Sequence, residues 1–254
     1  MNLQRRDKKR LNKLFPCIAG SLLFGLVTVY QLNTIEKVQR NTGENKSNIQ
    51  LSTADLQQHL KTLKIIPTLG FRNLLANATF LNFLQYFSDV SEQKIVSRHL
   101  SFEFFDTIIT LDPFYRDYYL FLSESTTFYA AQPEKSIELM AMGLERIDPG
   151  LVSDSFYIWR YKGVDELLFL GDGESARQSF ENAASWARHS NRADSDLIGR
   201  VSQQTADFLK QNPDSRYAQI AAWQSVLATS ANEDIRKRAA QKIQDLTEAE
   251  NTVE

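Results

Sequence analysis

Two Asp-Pro steps, Asp112-Pro113 and Asp148-Pro149, stand 36 residues apart, and each closes a stretch of helical apolar spacing. Proline removes a backbone donor and crowds the turn before it, so each step ends a helix. Between them Tyr115, Tyr118, Tyr119 and Leu122 recur at i, i+3, i+4 and i+7, and so do Ile137, Met140, Ala141 and Leu144. That spacing puts each set on one face of a helix. Pro133 lies between the two sets, at a natural first-turn position. Two helices in about 36 residues, ending in a fixed stop, predict an all-α fold of stacked helical repeats.

The period extends from about residue 52 to residue 250. Phe71, Leu74, Leu75 and Ala78 mark one face of an early helix, and Phe80, Phe83, Leu84 and Phe87 mark a second. A helix apolar on two sides is expected to sit between neighbours. Further on, Ile198, Val201, Thr205 and Phe208 define another face, followed by Tyr217, Ile220, Ala221 and Leu227. The last helix, 232–249, is markedly polar, as a terminal cap of a repeat array must be. Only 6 Pro and 10 Gly occur, which disfavours strands and turns, and the 16 Phe residues fall mostly between Phe71 and Phe180. That stretch is the expected core.

Ahead of the repeats, Arg5, Arg6, Lys8, Lys9, Arg10 and Lys13 make residues 1–14 a basic tail. Residues 15–32, FPCIAGSLLFGLVTVYQL, carry no charge. As a helix, eighteen residues reach about 27 Å, close to a hydrocarbon thickness of roughly 30 Å. The expectation is a retained transmembrane anchor; a cleaved signal would want a shorter run and a small-x-small exit. The basic flank keeps the N-terminus cytoplasmic and sends the following domain across the membrane. Residues 33–51 read as a polar linker.

Residues 171–187, GDGESARQSFENAASWA, pose the question of chemistry directly. A phosphate loop needs GxxxxGK[ST], and the Lys is missing; a calcium loop needs acids at alternating positions, and after Glu174 come Ser, Ala, Arg and Gln. The stretch resembles the second helix of a tetratricopeptide repeat, with Gly171 in the turn and Ala176, Phe180 and Ala183 at the packing positions. In the helix before it, Trp159 and Gly163 keep the aromatic-to-Gly spacing, and one extra residue shifts the rest. The preceding repeat carries Ser136 and Gly143 at the small positions and Met140 at the aromatic one. The resemblance covers 112–190 closely and 71–230 loosely. It implies a right-handed α-α superhelix in which first helices line a concave face for partner peptides.

Three longer phrases, FRNLLANATFLNFLQYFSD, YIWRYKGVDELLFLGD and FLKQNPDSRYAQIAAW, resemble a cyanobacterial family of single-pass repeat proteins without assigned function. That resemblance implies a thylakoid or plasma membrane, with the repeat domain in the lumen or periplasm.

Catalytic groups are hard to find in the sequence. His59, His99 and His189 are scattered, and the one Cys, Cys17, lies in the apolar run. No metal, cofactor or activated nucleophile is expected. A net charge of −2 and a pI near 6.0 argue against nucleic acid. Asp165-Glu166 is an acid/base pair only in principle, because neighbours on a helix point apart. Trp159, Arg160 and Lys162, with Tyr118 and Tyr119 beside them, form the candidate partner-binding set; the bland reading is an intramolecular ion pair from Arg160 to Asp165 or Glu166. The expected function is a membrane-anchored protein-interaction scaffold, not an enzyme, that helps assemble a membrane complex, photosynthetic if the membrane is a thylakoid. A ligand-binding or enzymatic pocket between repeat helices, and a secretion or chaperone accessory role, stay open.

Overall fold

A computed structural model describes residues 53–88 and 100–251, and over them the fold is all-α, with no strand. The basic tail, the 15–32 span and the 33–51 linker fall outside those residues. Among the described residues no helix is long and apolar enough to cross a membrane.

Ten helices follow in order: α1 (Thr53–Ile65), α2 (Arg72–Ser88), α3 (Ser101–Leu111), α4 (Arg116–Leu122), α5 (Pro133–Leu144), α6 (Phe156–Asp165), α7 (Gly173–Ala187), α8 (Ser195–Gln211), α9 (Arg216–Thr229) and α10 (Glu233–Asn251). Two of them continue as π-helix, α4 through Ser123–Tyr129 and α6 through Glu166–Leu170. Asp112 caps the end of α3 and Pro133 opens α5, as the spacing predicts. From α2 to α8 each helix packs on its successor, α4 doing so through its π segment, and α1, α3 and α4 also touch α3, α5 and α6 respectively. The stack expected to run on to residue 250 is interrupted there. α9 packs on α10 and on both π segments, with little contact to α8.

The main core lies under α1 to α6 and is aromatic. Phe83 sits edge-on to Phe105 at 4.6 Å, and Phe80 meets the Tyr118 ring at 5.0 Å. Such pairs add about 0.5–1.5 kcal/mol each beyond the area they bury. A second core gathers Phe169, Trp223, Val226 and Ala239, with Phe128 packed against it. The π segments connect the two. Each inserts one residue, which turns the side chains after it by about 100° relative to a continued α-helix. In α4, Tyr118, Tyr119 and Leu122 face the first core, and within the π segment Phe128 faces the second. In α6, Ile158 and Phe169 divide the same way.

Two expected faces are corrected. On α2 the Phe80, Phe83, Leu84, Phe87 side packs inward, but Phe71 and Leu74 are 62% and 61% exposed. Among the described residues that helix is covered on one side. On α8 the buried residues are Ser195, Ser202, Ala206 and Leu209, whereas Val201 and Phe208 are exposed. Small residues win this face because α7 offers Ala183, Ala184 and Ala187, so the two backbones approach closely.

Candidate partner-binding pocket

Gly171 takes the left-handed conformation, φ 71°, that reverses the chain between α6 and α7. Asp172 then caps α7: one carboxylate oxygen accepts the Ser175 N–H at 2.9 Å and the other the Ser175 hydroxyl at 2.7 Å. Those bonds hold the Asp172 carboxyl below its ordinary range. Gly-Asp-Gly is a hinge with its cap.

Beyond the cap, Ala176, Phe180 and Ala183 are buried, and Phe180 and Ser179 lie about 3.2 Å from where a Cβ on Gly163 would be. Met140 is also buried, and Gly143 lies under the Tyr119 ring. The predicted packing positions therefore all sit at helix contacts or in the turn between them.

The five candidate partner-binding residues divide. Tyr118 and Tyr119 are fully buried and do not offer a docking surface. The Tyr118 hydroxyl donates to Asn77 Oδ1 at 2.6 Å, and the Tyr119 hydroxyl to the Pro113 carbonyl at 2.7 Å. Burial pushes the Tyr118 phenol up to about 12. Their hydroxyls are spent inside the chain. Arg160 points to the α7–α8 contact: its guanidinium lies 5.9 Å from the Phe180 ring centre and donates to Ser202 Oγ at 2.7 Å. Desolvation lowers its pKa from the usual value. It makes no ion pair with Asp165 or Glu166.

Trp159 and Lys162 do share a cavity. It has a volume of about 340 Å³ between α5, α6 and α7, and Leu144, Glu145, Gln178 and Asn182 complete the part of its wall that matters here. Lys162 Nζ is bonded to Glu166 and to Ser179 Oγ, and lies 5.7 Å from the Trp159 ring centre. Its charge is compensated. Glu145 and Gln178 are exposed and Asn182 half-buried, and none of the three forms a side-chain hydrogen bond or ion pair with the described residues. The cavity thus offers an indole wall, two uncommitted amides and one uncommitted carboxylate.

Behind that wall sits a polar core that the sequence does not announce. Asp165, 1% exposed, accepts from Ser123 Oγ at 2.8 Å, Thr127 Oγ1 at 2.6 Å and Ser136 Oγ at 3.0 Å. Burial raises its carboxyl to about 6, the hydroxyl donors opposing the rise. Glu166 is held by Lys162 and by the Ser179 hydroxyl, which donates at 2.6 Å. The two acids therefore tie α6 to the α4 π segment, α5 and α7. Every oxygen of this pair is bonded to the protein, so neither acid is presented to a substrate. Among the described residues no group of three His, Cys, Asp or Glu side chains is placed to hold a metal.

No protein family, curated protein or solved structure matches this chain.

Proposed function

We propose that the chain is a membrane-anchored protein-interaction scaffold, a tetratricopeptide-repeat-like array that holds a segment of a membrane-complex subunit. The anchor is residues 15–32, and the repeat domain lies on the side opposite the basic tail, in a lumen or periplasm. The reading rests on the cavity between α5, α6 and α7. Side-chain amides present a donor and an acceptor side by side, as a peptide group does. Gln178 and Asn182 therefore suit the backbone of a docked segment, while Trp159 gives it a flat apolar wall and Glu145 a site for a basic side chain.

The check is co-purification from solubilised membranes. Wild-type chain should recover a stoichiometric protein, and Gln178→Ala with Asn182→Ala should lose it at an unchanged melting temperature. Equal recovery by both forms contradicts this site.

The volume supports one other reading. About 340 Å³ lies at the lower end of small-molecule sites, so a small polar ligand fits the same walls. Native mass spectrometry separates the two, because a retained small molecule adds mass to the monomer without a protein partner.

A further inference from the structure

α8 has a strongly amphipathic pattern, yet of its large apolar side chains only Leu209 is buried in its own domain, Ile198 is half-buried, and three point outward. Leu197, Val201 and Phe208 are 56%, 37% and 61% exposed, while Ser195, Ser202, Ala206 and Leu209 face inward. Positions 197, 201, 204 and 208 are separated by four, three and four residues, the spacing of a helix–helix seam. An apolar stripe on the solvent side of a helix marks an interaction surface.

The charges beside the stripe say what covers it. Arg200 and Asp207 lie on one flank, each immediately before a seam position. They are seven residues, or about 10 Å, apart along the helix and cannot pair with each other. Arg200 makes no ion pair among the described residues, and Asp207 accepts only from Gln203, at 3.0 Å. An antiparallel copy of the same helix, related by a two-fold axis, brings Arg200 against Asp207 of the second copy and Asp207 against its Arg200. Leu197 then meets Phe208, and Val201 meets Gln204. Asp196 and Lys210, further round on the same side, repeat the match. A parallel pairing would set like charge on like. A lipid surface would call for a basic flank, and here two acids balance two bases.

We propose that α8 pairs antiparallel with α8 of a second copy, making the chain a two-fold symmetric dimer. This surface is independent of the cavity between α5, α6 and α7.

The test is the mass of the full chain in mild detergent by light scattering, with a charge swap. Wild type should be dimeric. Arg200→Asp alone or Asp207→Arg alone should weaken the dimer by about tenfold, since each places like charges at two symmetric contacts. The double swap should restore it. Phe208→Ser should abolish it while the helical content by far-UV circular dichroism stays that of wild type, because that side chain is exposed. Mixed copies carrying Val201→Cys and Gln204→Cys, with Cys17→Ser in both, should form a disulfide when membranes are treated with copper–phenanthroline and oxygen as the oxidant. A monomeric wild type with no such disulfide overturns the proposal. So does a dimer indifferent to the single swaps, or a Val201→Cys side chain captured by residues 33–52 of its own chain.

Discussion

The Tyr119 ring occupies the space that a side chain at residue 143 would need: a Cβ on Gly143 would come within 2.0 Å of the Tyr119 hydroxyl oxygen and 2.7 Å of its ring. Tyr119 is wholly buried and bonded to the Pro113 carbonyl, so it has nowhere to go. The pair fixes how closely α5 approaches α4.

Gly143→Ala is therefore expected to destabilise the domain by about 2–4 kcal/mol, combining overpacking with loss of the Tyr119 hydrogen bond. The check is a double-mutant cycle by chemical denaturation. In a Tyr119→Leu background the cost of Gly143→Ala should fall by at least half. An undiminished cost would mean that the strain lies elsewhere.

Asp165 makes stability depend on pH. Its folded pKa, about 6, is above the value of about 4 for an unfolded Asp. The stabilising contribution is therefore complete below about pH 4 and is lost as pH rises through about 6. Asp165→Asn keeps the shape without the titration. Relative to wild type it should gain on the order of 2–3 kcal/mol between pH 4 and pH 7. Melting curves of both proteins over that range measure the difference, and parallel curves would refute the assignment.

At the α6–α7 hinge two substitutions should separate cap from core. Asp172→Ala removes the bonds to Ser175 and should cost about 0.5–2 kcal/mol, with partner recovery intact. Phe180→Ala empties a buried site and should cost about 3–5 kcal/mol. If Asp172→Ala abolishes partner recovery at an unchanged melting temperature, the turn is a binding site and not a hinge.

The helical class and the hinge were legible because independent signals coincide at the same residues. Asp172 is a good cap, Gly171 suits a left-handed turn, and Ala176, Phe180 and Ala183 keep one face. α8 shows where periodicity stops. It identifies the apolar stripe through Val201 and Phe208, but not that a close helix pair buries Ser202 and Ala206 on the other side. Tyr118 and Tyr119 entered the binding set only as expected neighbours of Arg160 and Lys162, and only the fold supplies Asn77 and the Pro113 carbonyl to their hydroxyls. Of the candidate binding set, Trp159 and Lys162 reach the cavity. Gln178 and Asn182 carried no signal beyond lying on the polar side of α7.

The π turn in α6 leads to a further expectation. Deleting Leu168 returns the segment to α spacing and turns Phe169 by about 100° from Trp223, which it now meets edge-on at 5.4 Å. Hydrogen exchange should then show α9 and α10 opening while α1 to α3 keep wild-type protection. Unchanged protection in α9 would contradict the two-core account.

The scaffold reading is tested most directly by a photoreactive amino acid at Gln178, inside the cavity, in full-length chain in its native membrane. The account predicts one dominant covalent adduct with a membrane protein on irradiation, absent when the same group replaces exposed Gln244 on α10. No protein adduct at 178, or an identical pattern from both positions, would contradict it.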